Sequence, residues 1–337
     1  MAAPPQFPLA ILIPARNEQA NLNACLAAAT ASGAAEIWVA DDGSTDQTGA
    51  IAARWQAADA RVRALAIAGP PPGWAGKNYA LWQAAQHATQ PWLLFLDADA
   101  CLLPGGLERA WREIERDGLA SLSLSPRQRA EGWVERAVQA RVFDLLDRRF
   151  PPARVNDPAD PCAAANGQFI LIRRADYFAL GGHAAIAGEW LEDVALARRI
   201  KAAGLRYRFG DGRDCVATRM YRGWDELAAG WSKNFVGLFG PPTAAGLAPL
   251  VAPLAGAGLA LGAWVMRRPR LAALAAAYVA FEHVRYARRQ RRAGRDGAAW
   301  LLPANALVAA IWWRARRPAQ WKGRVAPQPR ALPYEDG

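Results

Sequence analysis

The chain has 337 residues, 53% of them apolar, so it is long enough for one large or two ordinary domains with a substantial core. Its net charge of +11 is uneven, because residues 1–266 are neutral overall and the whole excess lies in residues 267–337. A basic tail on a neutral body argues against a nucleic-acid-binding protein, and four widely spaced cysteines argue against a zinc site or a disulfide framework.

Up to residue 118 the chain alternates between apolar stretches of strand character and stretches with helical periodicity. Strands are predicted at 9–14, 36–41, 61–67 and 92–97, and helices at 17–30, 43–58, 77–88 and 104–118. Ser44 or Thr45 is placed to cap the second helix. The alternation predicts an α/β domain whose mostly parallel sheet carries helices on both faces and binds ligands beyond the carboxyl ends of its strands.

Acidic residues occur in pairs at three places where predicted strands end or helices begin. In the stretch WLLFLDADAC, an apolar strand runs into Asp97 and Asp99, separated by one alanine. Two carboxylates at that spacing suit a hard cation such as Mg²⁺ or Mn²⁺, which also takes phosphate oxygens of a substrate. A solvated turn explains one such pair, but three pairs at equivalent places favour a functional site. The other pairs are Asp41 with Asp42 after the second strand, and Glu192 with Asp193 at a predicted helix start.

Four motifs, ILIPARNEQANL, VADDGSTDQT, LDADA and LEDVALARRIKAAG, follow one another at suitable spacing. Together they resemble the family 2 glycosyltransferases of GT-A fold over residues 8–235. More narrowly, GWAGKNYAL, NGQFILIRRADYFALGGH, GWSKNF and WKGR resemble the hopanoid-biosynthesis-associated membrane glycosyltransferases, whose relatives glycosylate ceramides and carotenoids. The chain departs from that group in lacking an N-terminal membrane helix and a clear Q-x-x-R-W motif.

The resemblance implies a metal-dependent, inverting transfer of a sugar from a nucleotide sugar, with a UDP-sugar as first candidate, to a lipid hydroxyl. It places Asp99 on the metal and Asp97 on the metal, the sugar or the ribose. Asp193 would be the general base and Glu192 would hold it in place. The remaining implied residues are Pro14, Ala15, Glu18, Asp42 and Lys77 around the nucleotide and diphosphate, and Asn166, Gln168 and His183 on the sugar and acceptor side.

Structural readings remain open for several of these residues. Lys77 also fits an exposed lysine at a helix start, and Glu192 and Asp193 also fit favourable charges at a helix N-terminus. Asn166 and Gln168 equally fit a turn before an ordinary strand, and an ordinary loop histidine explains His183 better than a contact with the acceptor.

Three other functions compete with this interpretation. Transfer to a polyprenyl phosphate is the closest, because an anionic acceptor needs no general base and Asp193 favours a hydroxyl only weakly. A nucleotidyltransferase would show a glycine-rich basic loop after its first strand, and PARNEQAN contains no glycine. An inactive membrane scaffold has no reason to carry carboxylates at three strand or helix ends.

The C-terminal third is predicted to meet the cell membrane. Residues 234–266 contain no charged side chain, which exceeds the ~20 residues needed to cross a bilayer. Crossings are predicted at 243–266 and 271–287, joined by the turn RRPR, while 297–313 lies in the interface, with Trp264, Trp300, Trp312 and Trp313 as an aromatic belt. The predicted arrangement is a catalytic domain at 1–235 on the cytoplasmic face, membrane helices at 236–313 and a basic tail at 314–337.

Overall fold

The computed structural model describes residues 7–316, 320–321 and 324–325. The strands are β1 (Phe7–Ala15), β2 (Ala34–Asp41), β3 (Val62–Ala66), β4 (Trp92–Phe95), β5 (Ala100–Leu102), β6 (Ser121–Gln128), β7 (Ile170–Arg173), β8 (Tyr207–Thr218), β9 (Gln320–Trp321) and β10 (Arg324–Val325). The helices are α1 (Leu22–Thr30), α2 (Thr48–Ala58), α3 (Gly76–His87), α4 (Gly106–Asp117), α5 (Gly132–Arg149), α6 (Pro152–Val155), α7 (Arg174–Ala179), α8 (Glu192–Ala202), α9 (Trp224–Phe239), α10 (Ala244–Val265), α11 (Pro269–Arg292) and α12 (Leu301–Arg314). A 3-10 helix covers Gly182–Ile186.

The chain divides into two compact units. The first comprises Met1–Arg129 and Phe150–Met220, and the second comprises Ala130–Arg149 and Tyr221–Gly337. Helix α5 therefore groups with the C-terminal helices, although it lies between strands of the first unit in sequence. The boundaries predicted at residues 235 and 313 differ from this division and remain predictions.

The first unit is built on an eight-stranded sheet in the order β3-β2-β1-β4-β7-β6-β8-β5. Strands β3, β2, β1 and β4 are parallel, as predicted, and β6 is parallel to β8. Strand β7 is antiparallel to both of its neighbours, and β5 is antiparallel to β8. The sheet is therefore mixed, and the prediction of a mostly parallel sheet is correct only for its first half. Strand β7 starts where β4 ends and runs back, which brings the turn before β7 to the carboxyl edge of the parallel strands.

Side-chain alternation along β1 explains how the sheet is covered. Leu9, Ile11 and Ile13 pack with side chains of α1, α2 and α4 in one core cluster. Ala10 and Leu12 point the other way and pack with side chains of α3, α7 and α8 in a second cluster. All five β1 side chains are fully buried, so β1 is apolar throughout, as is usual for a parallel strand covered on both faces. The predicted helix layers on both faces are confirmed.

Two predicted helix starts are wrong because the residues concerned hold loops together. Helix α2 begins at Thr48, with Gln47 at its N-cap position, so neither Ser44 nor Thr45 caps it. The Ser44 hydroxyl instead accepts a hydrogen bond from Asn17 N at 3.0 Å, and Asn17 Oδ1 accepts one from Thr45 N at 2.9 Å. Helix α1 begins at Leu22, because residues 17–21 belong to the loop that these bonds fix.

In the part of the second unit that the structure describes, the regular elements are helices and the short antiparallel pair β9–β10. Among the described residues one helix, α10, is long and apolar enough to cross a membrane, with a mean hydropathy of 1.7 and 11% of that window buried. Helix α10 ends at Val265 and α11 begins at Pro269, so the chain turns at residues 266–268, and Pro269 and Arg270 of the predicted RRPR turn belong to α11. The second crossing lies within α11, which carries Glu282 and Arg285, and it remains a prediction.

Helix α12 does not lie with its apolar face free, as an interfacial helix would. Ser232 of α9 donates a hydrogen bond to the Ile311 carbonyl at 3.1 Å, and Asn305 is fully buried. Trp312, predicted for the aromatic belt, is 4% exposed and donates to the Gly240 carbonyl at 3.0 Å. The belt prediction is therefore wrong for Trp312, whereas Trp264 is 71% exposed. In the WKGR motif, Lys322 and Gly323 lie outside the described residues.

Candidate active site

The predicted carboxylates Asp97 and Asp99 lie in the short segment that joins β4 to β5, beyond the carboxyl end of β4. The segment turns sharply, because Ala100 N donates to the Asp97 carbonyl at 3.0 Å. Asp97 Oδ1 lies 2.7 Å from Lys77 Nζ, and the side chains retain 25% and 33% of their exposure. The apolar strand therefore delivers a partly solvated carboxylate to the sheet edge, where it is paired with a cation.

Lys77 is the second residue of α3 and connects two acidic segments. Its ammonium also lies 2.6 Å from Glu192 Oε1, so one lysine bridges the residues after β4 and the first turn of α8. Burial alone would lower the pKa of Lys77, but the carboxylates of Asp97 and Glu192 raise it well above its ordinary value. Lys77 is therefore a fixed positive charge between two elements, and the reading as a free surface lysine is wrong.

Glu192 and Asp193 open α8 as predicted, and their neighbour on the sheet side is Gly167. Asp193 Oδ2 accepts a hydrogen bond from Gly167 N at 3.1 Å, and Asp193 Oδ1 accepts one from Val194 N at 2.8 Å. A Cβ atom at position 167 would come within 2.9 Å of Lys77 Nζ and 3.0 Å of Glu192 Oε1. A side chain at position 167 would displace the ends of Lys77 and Glu192, so glycine lets the backbone lie directly against the ion pair.

The two acidic residues of α8 have opposite protonation tendencies. Burial raises the pKa of Asp193 to about 7, the Glu192 carboxylate adds to the rise, and Lys77 opposes it. Burial would also raise the pKa of Glu192, but the contact with Lys77 outweighs burial and lowers it. Burial raises the pKa of Asp97, against the opposing effect of Lys77. One ionised carboxylate therefore stands beside another that exchanges a proton near neutral pH, an arrangement suited to acid–base chemistry.

Gln168, the residue after Gly167, contacts the second carboxylate of the DAD motif. Its Nε2 lies 3.3 Å from Asp99 Oδ1 and donates to Thr218 Oγ1 at 2.9 Å. Thr218, the last residue of β8, in turn donates to the Asp99 carbonyl at 3.2 Å. The dipeptide Gly167–Gln168 thus joins the Asp99 contacts to the Lys77–Glu192–Asp193 cluster.

The residues predicted for the nucleotide lie at the ends of β1 and β2. Pro14 and Ala15 pair in register with Ala40 and Asp41, and Asp42 N donates to the Ala15 carbonyl at 2.9 Å. Asp42 itself is 4% exposed, and Arg16 donates to its carbonyl oxygen. Glu18 N donates to Thr48 Oγ1 at 2.7 Å, which anchors this loop to α2. The Glu18 carboxylate also contributes to the raised pKa of Asp97, so the two groups of residues share one region of the sheet edge.

The two remaining sequence candidates serve the packing of the first unit. Asn166 N donates to Ser123 Oγ at 2.8 Å, and Asn166 Oδ1 accepts from Gln168 N at 3.0 Å, which shapes the turn before β7. His183 is 2% exposed, and its Nδ1 shares a hydrogen bond of 2.8 Å with the Tyr177 hydroxyl. Burial lowers the pKa of His183 to about 4, so the ring is neutral and fits a core position better than an acceptor contact.

The carboxylates fit a divalent cation that takes its remaining ligands from a substrate. Within the described ranges, no group of three or more His, Cys, Asp or Glu side chains is arranged to hold a metal ion. Asp97 and Asp99 supply hard oxygen ligands, and Mg²⁺ or Mn²⁺ is commonly held by one or two carboxylates with substrate phosphates and water completing the shell. The residues present therefore suit a metal that arrives with a diphosphate.

Sequence reasoning missed three residues of the site: Asn78, Gly167 and Thr218. Asn78 is 1% exposed, and a signal for its burial was present, because it shares a helical stripe with the buried Leu81 and Ala85. Gly167 stands between the predicted Asn166 and Gln168 but was not itself singled out, and no local pattern marks Thr218.

Comparisons with known proteins identify the family of the chain and the fold it shares. The sequence model of glycosyl transferase family 2 matches residues 10–178. The 4,4'-diaponeurosporenoate glycosyltransferase of Staphylococcus aureus is 28% identical over 239 residues, which cover 67% of this chain and 60% of that protein. The match thus spans less than two thirds of the relative's length.

A solved structure resembles the chain over most of its length. The mannosyltransferase PcManGT from Pyrobaculum calidifontis, in complex with GDP-Man and Mn²⁺, superposes with a TM-score of 0.54 and 20% identity. The superposition covers 92% of this chain and 88% of the other. At that identity the likeness shows the fold alone, a GT-A-like mixed α/β sheet.

Proposed function

Because the chain belongs to glycosyl transferase family 2 and is a glycosyltransferase, we propose that it moves a sugar from a nucleotide sugar to a lipid hydroxyl. The observation that carries the proposal is the cluster in which Lys77 bridges Asp97 and Glu192 beside Asp193. It combines a cation for a diphosphate, carboxylates for a metal and a carboxyl group that ionises near neutral pH.

The donor side is proposed to lie along the ends of β1, β2 and β4. Pro14, Ala15, Glu18 and Asp42 line the nucleotide part, and Lys77, the second residue of α3, offers a positive charge at a helix N-terminus for the diphosphate. PcManGT is described in complex with GDP-Man and Mn²⁺, which supports a nucleotide sugar and a divalent metal here. A UDP-sugar remains the first candidate from the sequence.

Asp99, with Asp97, is proposed to hold Mg²⁺ or Mn²⁺. When bound, the metal supplies positive charge that stabilises the departing nucleoside diphosphate. Gln168 and Thr218 keep the Asp99 segment in place through the contacts at 3.3 and 3.2 Å. Lys77, which is paired with Asp97, would contribute a second positive charge.

Asp193 is proposed to take the proton of the acceptor hydroxyl as that oxygen attacks the anomeric carbon. Its carboxylate is oriented by Gly167 N and Val194 N, and Glu192 is held by Lys77 and keeps its charge. One attack from the face opposite the leaving diphosphate inverts the configuration at the anomeric carbon. Asn166 and His183 are proposed to lie only at the periphery of the acceptor side, because both make hydrogen bonds to other residues of the first unit.

A lipid acceptor is supported from two directions. The relative in Staphylococcus aureus is named for a carotenoid substrate, 4,4'-diaponeurosporenoate. In the second unit, α10 exposes most of its apolar surface, with Leu261 and Trp264 63% and 71% exposed. Exposed apolar surface of this extent is typical of contact with a membrane. We propose that the enzyme acts at the cytoplasmic face of the cell membrane, and a hopanoid-like lipid is the narrowest acceptor that the sequence suggests.

The proposal is tested by incubating the purified protein with labelled UDP- and GDP-sugars, Mn²⁺ and a lipid extract, and counting label in the organic phase. We expect label in a lipid with one donor, and about 10²–10⁴-fold less with Asp193→Asn. A product stable to alkali and to mild acid indicates a hydroxyl acceptor. An alkali-labile product would indicate a carboxylate acceptor, and an acid-labile one the polyprenyl phosphate alternative. Label that stays in the aqueous phase with every donor would contradict lipid transfer.

A further inference from the structure

The segment that leads into Glu192 and Asp193 is fastened to α3 by a single side chain. Asn78 Nδ2 donates to three backbone carbonyls, those of Ile186, Ala187 and Glu189, at 2.8, 3.1 and 2.9 Å. These carbonyls belong to the end of the 3-10 helix and the linker between that helix and α8. Asn78 therefore determines where the linker runs.

Backbone contacts show that the linker and the start of α3 are fitted closely together. Ala75 N, at the N-cap of α3, donates to the Ala187 carbonyl at 2.8 Å. A Cβ atom at Gly188 would come within 3.0 Å of the Gly73 carbonyl oxygen. The loop before α3 and the linker before α8 thus lie against each other, with Asn78 on the inner side of their contact.

The chemistry of Asn78 indicates that its amide nitrogen is the group the fold requires. The side chain is 1% exposed, and its Oδ1 has no hydrogen-bond partner in the described part of the chain. A buried acceptor without a partner costs free energy, so the residue is retained at that cost for its two N–H donors. Without them, the Glu189 carbonyl loses its Asn78 donor, and the Ile186 and Ala187 carbonyls keep only the backbone donors Glu189 N and Ala75 N.

From these contacts we propose that Asn78 is a positioning residue. It holds the start of α8 so that Glu192 stays paired with Lys77 and Asp193 stays where it can take the proton of the acceptor. Lys77 and Asn78 are consecutive, and they bind Glu192 Oε1 and the Glu189 carbonyl, two points three residues apart on the same segment. The pair therefore fixes both the backbone and the carboxylate of that segment. The inference rests on the proposed function, because it assigns Asn78 an effect on the base in that reaction.

The variant Asn78→Ala tests this, with Asn156→Ala as its matched control. The side-chain amide of Asn156 also hydrogen-bonds to backbone atoms, because it donates to the Phe209 carbonyl at 3.0 Å and accepts from Phe209 N at 2.8 Å. Asn156 is exposed and lies at the end of α6, away from the cluster. Hydrogen exchange reports the linker directly and needs no turnover. We expect faster exchange at residues 187–195 in Asn78→Ala and no change there in Asn156→Ala.

Kinetics distinguish positioning from general loss of structure. Misplacing the base is expected to lower kcat by about tenfold to a hundredfold while the donor KM changes little. Lys77 lowers the pKa of Asp193, and Glu192 on the same helix raises it. Tyr207 of β8 also interacts electrostatically with the Asp193 carboxylate. If the start of α8 is no longer held near Lys77, the pKa of Asp193 rises, so the acid limb of kcat/KM is expected to move to higher pH. Asn156→Ala should keep the wild-type profile.

Two results would overturn the proposal. The first is hydrogen exchange at residues 187–195 that stays at the wild-type rate in a folded Asn78→Ala. The second is faster exchange there, together with a pH profile of kcat/KM that does not move and a loss of kcat that Asn156→Ala shares. If Asn78→Ala does not fold, Asn78→Ser, which keeps one donor, is measured in the same way. If the proposed function itself is wrong, the wild-type protein will transfer no sugar from any donor. Hydrogen exchange would still show whether Asn78 holds the linker before α8.

Discussion

Asp193 has both a position and a protonation equilibrium that suit a general base. Two backbone N–H groups orient its carboxylate, and burial with the neighbouring Glu192 raises its pKa to about 7. The base must be ionised to accept a proton, so activity belongs to the form that prevails above pH 7. Below that pH the active fraction is expected to fall about tenfold per unit.

The substitution Asp193→Asn is expected to lower transfer by about 10²–10⁴ and to abolish the limb near pH 7, because the amide accepts no proton. Donor affinity should be nearly unchanged. The measurement is kcat/KM against pH for wild type and variant, with Asp176→Asn, whose carboxylate pairs with Arg173 at 3.0 Å, as the matched control. Loss of donor affinity with normal transfer would place Asp193 on the donor instead.

Asp99 is expected to be the more important metal ligand, because Asp97 already has a cationic partner in Lys77. The substitution Asp99→Asn should abolish Mn²⁺-dependent donor turnover and weaken Mn²⁺ binding in the presence of the nucleoside diphosphate, while the fold survives. Binding is measured by the paramagnetic signal of free Mn²⁺. Asp211→Asn, at a carboxylate that pairs with Arg213 at 2.7 Å, is the control. Wild-type turnover and binding in Asp99→Asn would exclude this assignment.

At residue scale, the sequence predicted which groups carry charge but not which groups hold them. The carboxylates could be found because each stands next to a recognisable strand end or helix start. Their partners come from far away in the chain: Gln168 lies 69 residues from Asp99, and Thr218 lies 119 residues from it. Such contacts depend on how β7 and β8 enter the sheet, which local periodicity does not specify.

At the scale of elements, prediction succeeded for strands that are apolar on both faces and failed where direction matters. Strands β1, β2 and β4 were predicted correctly because each contains a run of apolar residues, whereas β3 includes Arg63 and buries only Val62. Nothing local marks β7 as antiparallel. The stretch SLSLS at the start of β6 does have the two-residue alternation of a strand, and this signal was available in the sequence.

Helix α10 contains Pro253, which has no N–H and leaves the Pro249 carbonyl without its helical partner. Within the second unit, Arg141 of α5 donates to that carbonyl at 3.2 Å and to Asn305 Oδ1 at 2.6 Å. Arg141 also pairs with Asp144 at 2.5 Å, with both side chains no more than 3% exposed. One buried arginine therefore links α5, α10 and α12, and it satisfies the backbone that the proline disrupts.

The substitution Arg141→Leu is expected to destabilise the second unit by about 3–5 kcal/mol, because it removes one partner of a buried ion pair. Thermal or denaturant unfolding in detergent measures the loss. Arg136→Leu is the control on the same helix, since Arg136 is exposed and makes a single long contact, 3.5 Å from the Ala130 carbonyl. Equal stability of the two variants would show that the Arg141 contacts contribute little.

At the scale of the whole molecule, the charge distribution separates two kinds of surface. The first 266 residues are neutral, and the basic excess follows the apolar helix α10. Basic side chains next to an apolar helix favour anionic lipid headgroups. Composition was enough to predict this, whereas the grouping of α5 with the C-terminal helices depends on long-range contacts and was not predicted.

Topology is tested with single cysteines in a variant without its four natural ones. We expect an impermeant thiol reagent to label Arg270→Cys in intact cells, and not Arg292→Cys or Arg314→Cys, because two crossings leave only the turn between α10 and α11 outside. All three positions are exposed in the structure. Labelling of Arg314→Cys from outside would show that the segment containing α12 also crosses.

The central claim is a single displacement in which Asp193, presented by α8 beside Lys77, takes the proton of the attacking hydroxyl. The stereochemistry of the product tests it most directly, since one displacement inverts the anomeric carbon and a covalent intermediate on a carboxylate retains its configuration. The glycolipid made from an α-linked nucleotide sugar is isolated, and its anomeric configuration is read from the one-bond C1–H1 coupling in an NMR spectrum. The account predicts a β-linked product. An α-linked product would contradict it and would require a nucleophile in place of the base.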